Sequence, residues 1–402
     1  MNNDLNENLN FEVANSYKRW NWWPLFPLYP YGTKKTIIKE IVPKMIWGIE
    51  QLQGLYYVAV PIRLTVVKVP NGLMLINPLP PTKELISYIK LLEDEHGPVL
   101  KVVLPTSSGL EHKIAMPAMA RCFKNAELWL CPGQWSFPLN LPLGFLGLPS
   151  DRTKFLLKDG FPYPEIFDWV SLGPIDIGLG RFQEIACFHK ISKSLIITDA
   201  LVGINSKPPE LFEYDPTPLL FHARDKGSEK LIDTLDQRKK GWLRLVLFAS
   251  FLKPHLLSIP PIKEIIGNSL RPGLRNLRSH LGIYPFCWEE GWEKSALQII
   301  GKQKPLLQVA PVIRRLVFPR AKNEFLNWLD KLSCLKGMER LISAHFCSSV
   351  EFNNYECMKL IRSIKSTDWE NSEGNYNFLS VLDNKLLNLK VVPKDPLKKF
   401  KD

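Results

Sequence analysis

One stretch of the chain, from Lys101 to Trp129, constrains the fold more than any other. It predicts a buried strand that ends at Leu104, a short polar loop, a helix that begins near His112 and a second apolar strand at Leu128–Leu130. Side chains on a loop between a strand and a helix converge on one rim of an α/β sheet, where such folds gather ligands. Glu111 and His112, an adjacent carboxylate and imidazole, could both reach a cation there.

The rest of the first half of the chain has the same alternation of strands and helices. Residues 45–78 predict a β-meander, because apolar runs flank the pair Asn71-Gly72, which is a strong hairpin signal. Thr82 precedes apolar residues at helical spacing, which predicts a capped helix that ends near Glu95. A second hairpin is predicted over residues 182–198. This order indicates a mixed α/β fold with a hairpin-rich beginning.

The net charge of +12 and the pI near 9.2 favour acidic partners, such as an anionic membrane surface, nucleic acid or a phosphorylated substrate. Aromatic and basic residues are not interleaved as an RNA-binding sheet requires, so we expect no specific nucleic-acid partner. Phosphate-loop, nucleophile-elbow and dinucleotide motifs are missing. The sequence does not indicate an oligomeric state.

The seven cysteines are odd in number, scattered and never in a Cys-x-x-Cys pair. This pattern favours reduced thiols in a cytosol-like compartment and argues against a thiolate zinc site. The first twenty residues lack the pattern of a secretory signal, and the longest apolar run, over 243–252, contains Arg244 and is too short to span a bilayer. We therefore expect a soluble cytoplasmic protein, or one that is peripheral to a membrane.

Candidate metal ligands follow three apolar runs of β type. Glu111 and His112 follow Val-Val-Leu, Asp199 follows Leu-Ile-Ile-Thr, and His345 follows Arg-Leu-Ile-Ser-Ala. Ligands at the ends of buried strands are held by a rigid scaffold, and imidazole with carboxylate suits zinc, iron or manganese. Two histidines and two carboxylates could hold one ion and leave room for a water molecule.

The order and spacing of these residues resemble the metallo-β-lactamase superfamily over roughly residues 45–346. In that family a strand–loop–helix unit carries Thr-His-x-His-x-Asp-His, a later hairpin ends in Gly-Asp, and a last strand ends in Gly-His. The matching segments here are Thr-Ser-Ser-Gly-Leu-Glu-His at 106–112, Thr198-Asp199 and Ala344-His345. The resemblance is closest to a branch found in cyanobacteria and plants, and it implies an αββα metallo-β-lactamase-like sandwich with a helical insertion.

The departures from the family motif bear on metal content. Ser107 and Gly109 stand where the first two histidines would be, and neither is an ordinary metal ligand. The middle histidine would fall within residues 172–178, which contain none. The resemblance therefore implies that one of the two metal sites is lost. The residues that remain form the other site: Glu111, His112, Asp199 and His345.

The sequence also leaves a structural explanation open. His112 would pack against the helix start, Asp199 would accept backbone hydrogen bonds after its strand, and His345 would hydrogen-bond within the core. Asp176 is a spare carboxylate that could join either arrangement, and His222 is the second-choice participant.

The interval between Asp199 and His345 is longer than the superfamily needs, which predicts an insertion. The predicted segments are a polar start with a proline- and aromatic-rich arm over 1–44, the sandwich over 45–206 and 319–350, the helical insertion over 207–318, and a helical C-terminal extension with a basic tail over 351–402.

Two functions are compatible with this pattern. The first is a metal-dependent hydrolase with a single zinc, iron or manganese ion, in which Asp199 orients the water that attacks a small-molecule substrate. The second is a non-catalytic scaffold or membrane-peripheral protein without a metal cofactor, which uses the insertion and the arm from Trp20 to Tyr31 for contacts.

Overall fold

The computed structural model describes residues 28–29, 34–134, 142–178, 180–274, 276–368 and 373–394. The predicted polar start, most of the proline- and aromatic-rich arm and the basic tail lie outside the described residues. In the described part of the chain, two large sheets pack face to face, and helices cover both outer faces.

The described residues form seventeen strands and eleven α-helices. The strands are β1 Leu28–Tyr29, β2 Thr36–Val42, β3 Ile46–Leu55, β4 Val58–Val69, β5 Gly72–Ile76, β6 Val99–Leu104, β7 Glu127–Leu130, β8 Thr153–Phe155, β9 Phe167–Asp176, β10 Arg181–His189, β11 Ser194–Ile196, β12 Leu201–Ile204, β13 Leu257–Ser258, β14 Cys287–Trp288, β15 Leu306–Val309, β16 Arg340–Ile342 and β17 Val350–Glu351. The helices are α1 Lys83–His96, α2 Leu110–Cys122, α3 Leu211–Tyr214, α4 Thr217–Ala223, α5 Leu235–Phe251, α6 Ile262–Ser269, α7 Trp292–Ile299, α8 Pro311–Leu316, α9 Lys322–Ser333, α10 Asn354–Ser366 and α11 Asn377–Asn388.

The first sheet has eight strands in the order β1-β3-β4-β5-β6-β7-β8, with β2 also paired to β3. The predicted meander is confirmed, since β3, β4 and β5 are antiparallel neighbours and Asn71 has φ of 65° in the turn between β4 and β5. Strands β5 to β8 are parallel. The predicted cap is also confirmed, because the Thr82 side chain accepts a hydrogen bond from Leu85 N at 3.1 Å.

The second sheet has five strands in the order β17-β16-β11-β10-β9. The hairpin of β10 and β11 was predicted from the sequence, whereas β9 was not, because its Gly173-Pro174 pair interrupts the strand pattern. Strand β11 pairs in parallel with β16, so that Ser194 lies opposite Arg340 and Ile196 opposite Ile342. This pairing joins the middle of the chain to its last third.

The layers confirm the predicted αββα sandwich. Apolar side chains from both sheets meet between them, including Val67 and Ile76 from the first sheet and Ile185, Ile196 and Ile342 from the second. Helices α1 and α2 pack on the outer face of the eight-stranded sheet, and α9 and α10 pack on the outer face of the five-stranded sheet. Burial of both faces of each sheet requires this arrangement of layers.

The segment between β12 and α9 is mainly helical, and its aromatic-rich core is shared with Leu52 of the first sheet and with Tyr57 in the turn between β3 and β4. Helices α5 and α4 approach each other closely at Gly241, where a Cβ would lie only 1.8 Å from Leu219 O. Arg244 is buried in α5, where it donates to Ala223 O at 3.1 Å and pairs with Asp225. None of the described helices has the length and apolar composition that a bilayer span requires.

His222, which is buried in this segment, supports a pH prediction. Desolvation by burial lowers its pKa from the ordinary value to about 3. The folded state therefore keeps this imidazole neutral while the unfolded chain binds a proton below about pH 6.5. Because the folded pKa is depressed, stability is lost as the pH falls below 6.5, by about 2 kcal/mol between pH 8 and pH 5.

We expect His222→Phe to reduce the loss of unfolding free energy between pH 8 and pH 5 by about 2 kcal/mol, measured by urea denaturation at both values. The matched control is His255→Phe, which makes the same substitution at an exposed histidine. Equal pH dependence in the wild type and His222→Phe would contradict a neutral His222 in the fold.

Candidate metal centre

Three chain segments meet at one edge of the sandwich. The loop after β6 is fixed to β10, because Ile185 N donates to Pro105 O at 2.8 Å and Ser107 N donates to Gln183 O at 2.9 Å. The segments after β11 and β16 run side by side, and Ala344 N donates to Thr198 O at 3.3 Å. The loop before α2, the residue Asp199 and the segment after β16 therefore share a small volume.

The four predicted ligands are brought together. His345 Nε2 lies 3.0 Å from Glu111 Oε1 and 3.0 Å from Asp199 Oδ1. The rings of His112 and His345 have centroids 6.0 Å apart. One ligand atom each from Glu111, His112 and His345 lies within 4.8 Å of the other two, and Asp199 joins this group through His345. Their role as metal ligands remains a prediction.

The orientation of His112 suits a metal ligand. Its ring is fully buried, and Nδ1 lies 3.1 Å from Pro78 O, so Nδ1 carries the hydrogen and Nε2 presents a lone pair. Within the described residues Nε2 has no hydrogen-bond partner. A buried acceptor without a partner is costly, and a cation beside two carboxylates would satisfy it.

The charges of the site compensate one another in part. Burial alone would raise the pKa of Glu111, but the hydrogen bond and charge of His345 outweigh it and lower this pKa. Burial would lower the pKa of His345, but hydrogen bonds to Asp199 and Glu111 raise it above its ordinary value. Burial lowers the pKa of His112. At neutral pH, an imidazolium therefore lies between two carboxylates beside a neutral imidazole.

The two positions that depart from the family motif have structural roles. Ser107 Oγ donates to Arg181 O at 2.9 Å and accepts from Gln183 N at 3.1 Å, so this side chain joins the loop to β10. A Cβ on Gly109 would lie 2.7 Å from Thr106 Cγ2 and 3.6 Å from Asp199 Oδ2. The backbone thus passes close to the site without offering a ligand.

Asp176 and His222, the two further candidates from the sequence, do not join the site. Asp176 Oδ1 accepts a hydrogen bond from Gly178 N at 2.7 Å, within the turn after β9. His222 is buried in the helical segment between β12 and α9, where its ring stacks on Phe286.

The sequence analysis missed Glu184, which holds the Asp199 segment. Its Oε1 accepts from Thr198 N at 2.8 Å, and its Oε2 accepts from Asp199 N at 2.8 Å and Ala200 N at 3.0 Å. Burial, followed by the charge of Asp199, raises the pKa of this carboxyl. The only sequence signal is the polar pair Gln183-Glu184 inside an otherwise apolar strand.

A buried ion pair holds the His345 segment, and it was also missed. Arg63 donates to Glu50 Oε1 from Nη2 at 2.7 Å, and the same guanidinium donates to Phe346 O at 2.8 Å and to Ser343 O. Ile62 and His345 form an isolated antiparallel bridge beside it. The guanidinium therefore fixes the backbone on both sides of His345.

We expect Arg63→Leu to lower the free energy of unfolding by about 3–5 kcal/mol, because Glu50 would lose its buried partner and the backbone carbonyls would lose their donor. Lys193→Leu is the control, since it removes an exposed pair with Glu339 and should cost far less than Arg63→Leu. Chemical denaturation measures both, and similar losses would contradict the role assigned to Arg63.

A family model described as "Domain of unknown function (DUF4336)" matches residues 43–362. No curated protein matches the chain.

Among solved structures, a metallo-β-lactamase from Pontibacter korlensis is 18% identical, with 40% of this chain and 70% of that chain covered and a TM-score of 0.30. The metallo-β-lactamase FIM-1 from Pseudomonas aeruginosa in its mono-zinc form is 12% identical, with 40% and 67% covered and a TM-score of 0.28. A flavo di-iron protein from Thermotoga maritima is 10% identical, with 82% and 62% covered and a TM-score of 0.41. Likenesses at these TM-scores carry no inference about activity or metal content.

Proposed function

The chain belongs to the family described as a domain of unknown function, DUF4336, and we propose that it is a metal-dependent hydrolase that retains one of two metal sites. The observation that carries the proposal is the buried Nε2 of His112, which has no partner in the described chain although it belongs to a cluster that holds Glu111 and His345. Three potential ligand atoms within 4.8 Å of one another suit a single ion.

The donor set determines which ion is expected. Two imidazoles and two carboxylates suit zinc, iron or manganese, and no thiolate is present in the cluster to favour a softer ion. His345 contacts both carboxylates as an imidazolium, so an ion that binds there must displace its proton. A bound divalent ion supplies Lewis acidity and lowers the pKa of water toward neutrality.

The protein's own residues divide the remaining work. His112, His345, Asp199 and Glu111 would hold the ion, and Glu184 fixes the backbone of Asp199, whose carboxylate lies 3.0 Å from His345 Nε2. The Asp199 carboxylate would orient the water that attacks a small-molecule substrate, because it can accept a hydrogen bond from that water. Positioning of this kind depends on a rigid scaffold, which the two strand ends provide.

A second candidate function is structural. The imidazolium of His345 already bridges Glu111 and Asp199 at 3.0 Å each, which is a complete ionic cross-link between three chain segments without a metal ion. In that case the site stabilises the fold of a scaffold protein. Metal analysis distinguishes the two functions.

Several finer points remain predictions. These are the division into a sandwich over 45–206 and 319–350 with a helical insertion over 207–318 and an extension over 351–402, the placement in a branch found in cyanobacteria and plants, the cytoplasmic location, and the absence of a specific nucleic-acid partner.

Full-length protein expressed with supplemented metal is expected to hold about one zinc, iron or manganese ion per chain, measured by plasma mass spectrometry. His112→Ala should lose this ion, whereas His255→Ala, at an exposed histidine, should keep it. A content below roughly a tenth of an ion per chain in the wild type would remove the metal-site proposal and leave the ionic cross-link.

The metal-loaded protein is expected to hydrolyse at least one of p-nitrophenyl acetate, bis-p-nitrophenyl phosphate and a chromogenic β-lactam. Asp199→Asn should lower kcat by roughly 100-fold or more, because the amide is a poorer acceptor for the attacking water. A protein that binds the ion but leaves all three probes intact would contradict the hydrolase while keeping the metal site.

A further inference from the structure

Helix α6 stands out among the described helices because Asn268 is its only buried residue. Ile262 and Ile266 lie one turn apart on the same face and are 74% and 54% exposed, and Ile259, just before the helix, is 65% exposed. A helix of eight residues is too short to be stable in water without packing an apolar face. These three residues, here called the isoleucine face, leave apolar area exposed that a partner can cover.

The charges around the isoleucine face indicate what that partner is. Within residues 252–273 the exposed cations are Lys253, Lys263 and Arg271, and the only carboxylate is Glu264. The whole chain carries a net charge of +12. A partner that accepts bare isoleucine and also attracts cations combines an apolar interior with an anionic surface, as a bilayer with anionic lipids does.

We propose that the isoleucine face docks the protein on an anionic membrane surface. Ile259, Ile262 and Ile266 enter the boundary between the lipid headgroups and the acyl chains, while Lys263 and Arg271 contact lipid phosphates. Pro261 precedes the first helical residue and fixes the direction in which the helix leaves the fold. The contact is peripheral, and it is independent of the metal centre.

The test uses full-length protein and flotation with vesicles of phosphatidylcholine, with or without phosphatidylglycerol. The wild type should float with the anionic vesicles, and far less with the neutral ones or at high salt. The double variant Ile262→Glu/Ile266→Glu should lower the bound fraction by roughly tenfold or more, because it removes apolar area and adds negative charge. Lys263→Glu should weaken binding to the anionic vesicles and leave binding to the neutral vesicles unchanged.

The matched control is Leu91→Glu/Ile191→Glu, which changes two aliphatic residues that are exposed elsewhere on the fold and should bind like the wild type. All variants change exposed side chains, so their urea midpoints should equal that of the wild type, which excludes loss of binding through unfolding. A wild type that does not bind anionic vesicles, or a double variant that binds equally well, would overturn the proposal. If the wild type forms dimers and does not bind vesicles, and the double variant is monomeric, the isoleucine face would be assigned to contact with a second copy of the chain.

Discussion

The parallel pairing of β11 with β16 is the contact on which the site depends. It joins strands that are more than 140 residues apart, with the helical segment between β12 and α9 lying between them in the chain, and it sets Ser194 opposite Arg340. Parallel strands end at the same edge of a sheet, so the residues that follow β11 and β16 emerge together there. Asp199 and His345 meet because of this register, and a shift of one residue would turn the strands' side chains to opposite faces.

Buried charges turn this coarse placement into a defined geometry. Glu184 accepts three backbone hydrogen bonds from the Asp199 segment, and Arg63 donates to backbone carbonyls on both sides of His345. A buried carboxylate or guanidinium is costly unless its hydrogen-bonding capacity is used, and both residues use theirs on the chain beside a site residue. Both side chains act on the site through the backbone that they hold, so both are positioning residues.

Local signals explain what the sequence predicted. The strand, loop and helix around Glu111 are contiguous, the hairpin at Asn71 has a turn signature, and the Thr82 cap is set by adjacent residues. The roles of Glu184 and Arg63 at the site could not be found this way, because the groups that they hold there are backbone atoms, which leave no trace in residue identity. Strand β9 was missed for a related reason, since its pairing with β10 overrides the local effect of Gly173 and Pro174.

The position of the His345 imidazole between two carboxylates bears on both candidate functions, the metal-dependent hydrolase and the scaffold. With Glu111 and Asp199 each 3.0 Å from Nε2, the imidazolium takes the place that a cation would occupy, so removal of a metal ion need not leave two carboxylates in repulsion. The same arrangement makes metal binding compete with a proton, which weakens it as the pH falls. His112 adds a further requirement, because its buried Nε2 has no hydrogen-bond partner in the described chain, and an electron-pair acceptor or a hydrogen-bond donor in the site would satisfy it.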